Sequence, residues 1–392
     1  MKLYKGFKSI ILLLFSLVML SNCSTLVYQY SDYFVEDSSI QTDRIREAQS
    51  SIDTSKLTAD EKNTIFIYRK YNKAVVNVTT LTQRYNIFMQ PYPQEGSGSG
   101  SIIRKDGVVL TNYHVIKDAD FLKITLYDGD SYDVEIMGFD QENDIAVLKF
   151  DPKEKTLTTI ELGTSQNLVV GQKVIALGNP FGLERTLTTG VISGLNRPLK
   201  TEYGFIIRDL IQLDASINPG NSGGPLLNSE GKLIGVNALI ISPSGGSVGI
   251  GFAIPVDTAR RVIPELIQNG KVARGWINIK PVPLYPKLKL KANITTKTGI
   301  LVSEVESGSN AEIAGLKGGD PDNSILIRGQ QVYLGGDIIL RINNISVSTI
   351  ADYLSILEPT KPGDVVTLLI LRNGNETENS IKLNKRPDEF PW

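Results

Sequence analysis

The sequence of 392 residues contains only one cysteine, Cys23, and only one histidine, His114. A single cysteine excludes an intramolecular disulfide, and a single histidine means that any histidine-dependent chemistry must use this residue. The sequence also has no large excess of positive or negative charge, since 41 Lys+Arg balance 42 Asp+Glu and no basic block occurs. The sequence therefore lacks the electrostatic footprint of a nucleic-acid-binding protein, and no nucleic-acid partner is expected.

The N-terminal apolar run is too short to cross a membrane. The run Ile10–Leu20 would form about 16 Å of helix, against roughly 30 Å of hydrocarbon in a bilayer. It follows Lys2, Lys5 and Lys8, so residues 1–22 are predicted to be a signal peptide.

The apolar run ends in Leu20-Ser21-Asn22-Cys23, which resembles the bacterial lipoprotein cleavage motif. In that motif the cysteine is diacylated and becomes the first residue, although Asn22 replaces the usual Gly, Ala or Ser. The prediction is a lipidated Cys23 that anchors a polar tether, residues 23–65, to a membrane. Ordinary signal cleavage near a free Cys23 thiol is the alternative.

Short apolar or alternating segments separated by turn residues dominate the chain after Ala74. The predicted strands are Ala74–Val78, Gly107–Leu110, Phe121–Tyr127, Tyr132–Met137, Ile145–Phe150, Val174–Leu177, Gly190–Ser193, Ile206–Leu213, Leu233–Ala238 and Gly249–Ile254. So many short strands within about 180 residues predict a barrel or sandwich rather than a parallel α/β sheet. The segment Gly96–Gly100 has the composition of a flexible linker, but its position before a strand suggests a domain edge.

The pattern changes at residues 256–270, whose apolar spacing predicts a linker helix that ends at Gly270. Further predicted elements are the strands Ile277–Ile279, Gly299–Val305, Asp337–Ile342, Val365–Leu371 and Glu378–Leu383 and the helices Ala311–Leu316 and Ile350–Leu357. Together these predict a second, α+β domain over residues 271–385, followed by a tail over residues 386–392.

The segment Asn218–Leu226 places glycines on both sides of Ser222. A serine hydroxyl is a poor nucleophile without a base, and its attack builds an oxyanion that needs preorganised donors. The glycines would let the backbone N–H groups of Gly220 and Ser222 point to one place, which predicts an oxyanion hole. Clusters of Gly, Ser and Asn are also common in plain loops, so this segment alone leaves both interpretations open.

The order of His114, Asp144 and Ser222 along the chain is what indicates a catalytic role for His114 and Asp144. A lone histidine is more often a surface or core residue, and an acid before a strand is usually part of a solvated turn. The chain order His114, Asp144, Ser222, however, is the one associated with chymotrypsin-like triad enzymes. All three residues lie in the strand-rich segment, so the sequence predicts a triad on a mainly β, chymotrypsin-like double β-barrel over residues 66–255.

With these motifs in place, the segment from Ala74 to Pro255 resembles the protease domain of the HtrA/Deg family. The similar residues are Gly98–Ile102, Val109–Val115, Asn143–Leu148, Gly178–Gly182, Thr188–Ser193, Asp214–Leu226, Leu233–Asn237 and Gly251–Pro255. Residues 271–385, beginning at Lys271–Trp276, resemble the PDZ domain that follows in that family.

The resemblance implies a trimeric, ATP-independent serine endopeptidase of the cell envelope that removes unfolded or misfolded proteins. It implies His114 as general base, Asp144 as its orienting carboxylate, Ser222 as nucleophile, and the N–H groups of Gly220 and Ser222 as oxyanion hole. Such a reaction needs no metal or organic cofactor. Because no buried acid is evident near the serine, a small apolar specificity pocket for Val, Ala, Ile or Leu is expected.

A PDZ domain adds an extended peptide to a sheet edge and captures the peptide's C-terminal carboxylate with backbone N–H groups. The matching loop would supply the N–H groups of Ile277, Asn278 and Ile279. Relatives usually have glycine where this chain has Asn278, so backbone strain or a shifted geometry and weak, micromolar or poorer binding are expected. The alternative is a domain that acts only as a spacer.

Two features depart from the family pattern. Tyr113 stands where small or polar residues are commoner, and it is expected to add bulk beside the site. The stretch Gly318–Gly335 is longer than in relatives and is predicted to be a loop. The main alternative function is a lipid-anchored chaperone or adaptor that holds unfolded chains without cutting them. A third interpretation, a structural envelope protein, would explain neither His114 nor the Ser222 segment.

Overall fold

The structure is a computed structural model that describes most of both predicted domains. The described residues are 54–85, 88–180, 185–200, 206–240, 249–327 and 329–387. The predicted signal peptide, Cys23, most of the tether and residues 388–392 lie outside the described residues.

Six α-helices lie in the described ranges. They are α1 (Ala59–Tyr71), α2 (Tyr113–Ile116), α3 (Val256–Asn269), α4 (Pro286–Lys291), α5 (Asn310–Ile313) and α6 (Ile350–Leu357), and the 3-10 turns are Thr54–Lys56 and Asn72–Ala74. The predicted linker helix is confirmed as α3, which buries one apolar face and ends at Gly270 in the left-handed conformation. None of the helices in this part of the chain is long and apolar enough to cross a membrane.

The first half of the first domain is a seven-stranded antiparallel sheet. Its strands are β1 (Val75–Tyr85), β2 (Pro91–Arg104), β3 (Val108–Thr111), β4 (Phe121–Thr125), β5 (Ser131–Asp133), β6 (Glu135–Asp140) and β7 (Ile145–Lys149). They follow the order β5-β4-β1-β2-β3-β7-β6. The strands β3 and β7 are almost wholly buried, which is why they consist of nearly continuous apolar runs.

The second half of this domain is a closed barrel. Its strands are β8 (Lys173–Gly178), β9 (Thr186–Lys200), β10 (Ile206–Leu213), β11 (Pro225–Leu227), β12 (Leu233–Ile240) and β13 (Gly251–Pro255). The order is β10-β13-β12-β11-β8-β9. The predicted mainly β fold is confirmed; hydrogen bonding closes the second barrel, whereas the first sheet leaves β5 and β6 as edges.

The second domain is built around an antiparallel sheet with order β15-β16-β19-β21-β22. The strands after the linker helix are β14 (Gly275–Trp276), β15 (Ile279–Pro283), β16 (Ile300–Val305), β17 (Asp320–Ile327), β18 (Gln330–Leu334), β19 (Ile338–Ile342), β20 (Ile345–Ser346), β21 (Val365–Arg372), β22 (Asn375–Lys382) and β23 (Asn384–Lys385). The prediction of a loop at Gly318–Gly335 is wrong, because β17 and β18 form a hairpin there. Val332 and Leu334 of that hairpin are buried in an apolar cluster, which holds it as a strand pair.

The two domains meet at a buried cluster of charged side chains. Glu358, directly after α6, accepts hydrogen bonds from Arg274 at 2.5 and 2.9 Å and from Arg208 at 3.0 Å. Arg274 also contacts Asp140 at 2.5 Å. Asn143 donates to Glu358 at 2.8 Å. Buried charges are costly to separate from their partners, so this cluster holds the second domain against the turn between β6 and β7.

Candidate active site

His114 and Asp144 are brought together by the pairing of β3 with β7. Thr111 is paired with Ala146 in that ladder, so the residues just after β3 lie beside those just before β7. The Nδ1 atom of His114 lies 2.7 Å from Oδ2 of Asp144, and the backbone N–H of His114 donates to Oδ1 at 2.8 Å. The side chain of Asn112 donates to the carbonyl of Asp144 at 2.8 Å. Asp144 therefore holds both the ring and the backbone of His114.

The surroundings of His114 favour its charged form. Burial of the ring lowers the pKa of His114, but the charge of Asp144 and its hydrogen bond raise it, and the pKa lies above the usual 6.5. One third of the His114 side-chain surface remains exposed. An imidazole in these surroundings can take up a proton from a reacting group and is stabilised once it is charged.

Ser222 follows a tight turn in which the N–H of Asn221 donates to the carbonyl of Asn218 at 2.9 Å. Gly220 has a φ of +99°, and a Cβ there would lie 2.2 Å from Cβ of Pro180, so only glycine fits. The hydroxyl of Ser222 donates to the carbonyl of Ala238 at 2.8 Å. A hydroxyl has one proton, so the Ser222 hydroxyl cannot donate to His114 while it donates to Ala238.

His114, Gly220 and Ser222 line one cleft of about 410 Å³. Its lining residues are Thr80, Gly96, Ser97, His114, Val115, Lys117, Ile217, Asn218, Pro219, Gly220, Ser222 and Ala238. None of these described lining residues is acidic. Tyr113 is not among them, because its ring stacks on Phe139 with centroids 4.9 Å apart. The expected bulk of Tyr113 beside the site is therefore directed elsewhere.

Ser99 is a site residue to which the sequence analysis assigned no role. Its side chain is fully buried; the hydroxyl donates to the carbonyl of Gly220 at 2.5 Å and accepts from the N–H of Asn179 at 2.7 Å. Its backbone N–H donates to the carbonyl of Ser222 at 2.8 Å, and its own carbonyl accepts from Thr111 at 2.7 Å. Ser99 thus holds the segment on both sides of Asn221. The only sequence signal for it is its position between two glycines in the alternating glycine and serine run Gly96–Ser101.

The predicted carboxylate-binding loop lies in the second domain, between β14 and β15. The N–H of Ile279 donates to the carbonyl of Ile277 at 2.8 Å, and that carbonyl also accepts from the hydroxyl of Tyr353 at 3.2 Å. Asn278 does not have a positive φ, so the strain considered there is not found. Its side chain instead donates to Glu306 at 2.7 Å.

Comparisons with known proteins agree with both domains. Residues 98–236 match the family model of the trypsin-like peptidase domain, and residues 277–383 match that of the PDZ domain. These ranges lie within the two predicted domains, whose own limits remain predictions.

Named relatives cover most of the chain. It is 44% identical over 338 residues to "Protease Do-like 1, chloroplastic" of Arabidopsis thaliana, covering 85% of this chain and 74% of that protein. It is 41% identical over 293 residues to "Periplasmic pH-dependent serine endoprotease DegQ" of Escherichia coli strain K12, covering 74% of this chain but 60% of that protein.

A solved structure described as "HtrA-type protease AlgW with decapeptide" superposes with a TM-score of 0.68 at 33% identity, covering 83% of this chain and 99% of that chain. The fold, the two matched domains and the identity over most of the chain lead to the same conclusion. The chain belongs to the HtrA/Deg family of serine proteases, with a trypsin-like peptidase domain followed by one PDZ domain.

Proposed function

We propose that the chain cleaves unfolded or misfolded proteins in the cell envelope through a triad of His114, Asp144 and Ser222. The observation that carries this proposal is His114, hydrogen-bonded to Asp144 at 2.7 Å and lining the same cleft as Ser222. Relatives named periplasmic serine endoproteases support the location. A homotrimer is proposed on the family resemblance alone.

The reaction begins when the Ser222 hydroxyl leaves the carbonyl of Ala238 and turns to His114. His114 takes the hydroxyl proton as the oxygen attacks a substrate carbonyl, and Asp144 stabilises the imidazolium. The N–H groups of Gly220 and Ser222 would hold the oxyanion. His114 then protonates the leaving amine, and a water molecule repeats the sequence on the acyl-enzyme.

The pH dependence follows from His114. The base acts as neutral imidazole, so activity should rise with pH through the pKa of His114, which Asp144 raises above 6.5. Because the chain has one histidine, a single step is expected, with its midpoint above pH 6.5. Initial rates on casein, with folding followed by tryptophan fluorescence, would measure it. A flat profile from about pH 5 to 8 with the fold intact would remove His114 from this role.

Membrane attachment through Cys23 is the second part of the proposal, and this residue lies outside the described residues. Acylation of Cys23 should move the protein into the detergent phase of a Triton X-114 partition, because two or three acyl chains suffice for stable anchoring. Cys23→Ala should return it to the aqueous phase. Aqueous partitioning of the unsubstituted protein would instead favour simple secretion.

The PDZ domain is proposed to bind peptide segments of the substrate beside Ile277, Asn278 and Ile279. The match to the PDZ family model and the decapeptide named in the AlgW structure support this proposal. Capture of a free C-terminus by these three residues is the finer part of it. The chaperone alternative shares this binding step and differs only in the absence of cleavage.

A further inference from the structure

The strand β15 forms one edge of the PDZ sheet. It pairs with β16 on one side and is the terminal strand of the sheet order. The helix α6 contacts the preceding loop through the Tyr353 hydroxyl and the carbonyl of Ile277. A peptide that joins this sheet by strand addition beside α6 and this loop therefore hydrogen-bonds to the free side of β15.

The backbone hydrogen bonds to β16 define which residues face that free side. The N–H of Glu306 donates to the carbonyl of Asn278 at 2.9 Å, and the N–H of Leu284 donates to the carbonyl of Gly299 at 3.2 Å. Asn278 and Leu284, the two residues that bond toward β16, both have even numbers. The N–H and C=O of one residue point to the same side of an antiparallel ladder, and successive residues alternate. The irregularity in this pair skips a residue of β16, so the odd-numbered residues of β15 face the free side.

Those odd-numbered residues are Ile279, Pro281 and Pro283. Proline has no backbone N–H, and edge strands are where sheets tolerate it. The remaining N–H, that of Ile279, already donates to the carbonyl of Ile277 at 2.8 Å. Beyond the loop proposed to hold the carboxylate, the free side of β15 thus has no N–H donor. It presents the carbonyl oxygens of Ile279 and Pro281, while that of Pro283 already accepts from the N–H of Tyr285 at 2.9 Å.

We propose that Pro281 and Pro283 make this edge a surface that accepts hydrogen bonds and donates none. An extended segment of an unfolded substrate is then held through its own N–H groups, while its carbonyls receive no bond from β15. This inference rests on the proposed peptide binding by the PDZ domain. It makes the two prolines, rather than Asn278, the cause of the weak peptide affinity that is expected of this domain.

Restoring the donors tests the inference. The full-length Ser222→Ala protein would be titrated with a fluorescent ten-residue peptide that ends in apolar residues and a free carboxylate. Pro281→Val combined with Pro283→Val should lower Kd about tenfold, which corresponds to about 1.4 kcal/mol, because each substitution returns one N–H to the edge. Pro286→Ala is the matched control, since Pro286 lies at the start of α4 and outside the strand; it should leave Kd unchanged.

Two further experiments distinguish a failure of this inference from a failure of the proposed peptide binding on which it rests. Methylating alternate backbone nitrogens of the peptide should weaken binding to the unsubstituted edge, since its strand bonds there come from peptide N–H groups. Pro283→Val alone, with an unchanged Tm, should give part of the gain and guards against misfolding of the double variant.

If the unsubstituted protein binds the peptide and the folded double variant binds it no more tightly, the inference is overturned while peptide binding stands. If neither protein binds the peptide, both the inference and the proposed peptide site fail. Sub-micromolar binding by the unsubstituted protein would also overturn the inference, because missing donors would then not limit affinity.

Discussion

Ser222→Ala should lower kcat for casein cleavage by about 10⁶, or about 8 kcal/mol of barrier, and leave the fold intact. The substitution removes the atom that would form the acyl-enzyme, so only residual catalysis by substrate binding and the oxyanion hole would remain. In the folded protein the hydroxyl makes one hydrogen bond, to the carbonyl of Ala238 at 2.8 Å. Losing it should cost roughly 1 kcal/mol of stability.

The control for this variant is binding rather than cleavage. Ser222→Ala should still bind unfolded casein, and it should not react with a serine-directed phosphonate that labels the unsubstituted protein. If the unsubstituted protein neither cuts casein nor reacts with the phosphonate, the proposed protease activity is wrong. Retained binding without cleavage by the unsubstituted protein would then favour the chaperone alternative.

Asp144→Asn should lower kcat by about 10⁴. The carboxylate accepts from both Nδ1 and the backbone N–H of His114, at 2.7 and 2.8 Å. An asparagine amide can accept with its oxygen only, so it cannot hold the same ring tautomer and carries no charge to stabilise the imidazolium. The charge of Asp144 also raises the pKa of His114, so the pH step of the residual activity should move to lower pH.

Asp128→Asn is the matched control for this prediction. Asp128 lies in the same domain and pairs with Lys155 at the surface, where an ion pair contributes little. Its substitution should change neither kcat nor the pH step. An Asp144→Asn protein that keeps its fold and the full rate would show that Asp144 only supports the local structure.

The proposed triad residues could be chosen from the sequence because the relevant chemistry depends on residue type and order. One histidine, an acid before an apolar strand, and a serine flanked by glycines left few alternatives. The linker helix was equally accessible, since its apolar face and Gly270 follow local rules. The direction of the Ser222 hydroxyl could not be predicted from the sequence, because it depends on Ala238, a residue of β12 that only folding brings close to Ser222.

Composition misled the interpretation in two places. The glycines of Gly96–Gly100 suggest a linker or domain edge, yet they lie within β2. A Cβ on Gly98 would lie 2.5 Å from Val115, and one on Gly100 would lie 2.6 Å from Val109. Close packing by other segments therefore explains these small residues. In Gly318–Gly335 the polar start suggests a loop, but later apolar residues pack on the domain and form a hairpin.

The sequence by itself determined the strand-rich class of the first domain, the helix after it, and the choice of candidate reactive groups. These properties follow from side-chain periodicity, turn chemistry and residue type, which act over a few neighbouring positions. The tertiary structure alone decided the support given by Ser99, the free side of β15, and the contact of Asn143 with Glu358, which lies 215 positions further along the chain. Such contacts depend on which distant segments pack together, and that packing is decided by burial and hydrogen-bond pairing across the whole fold.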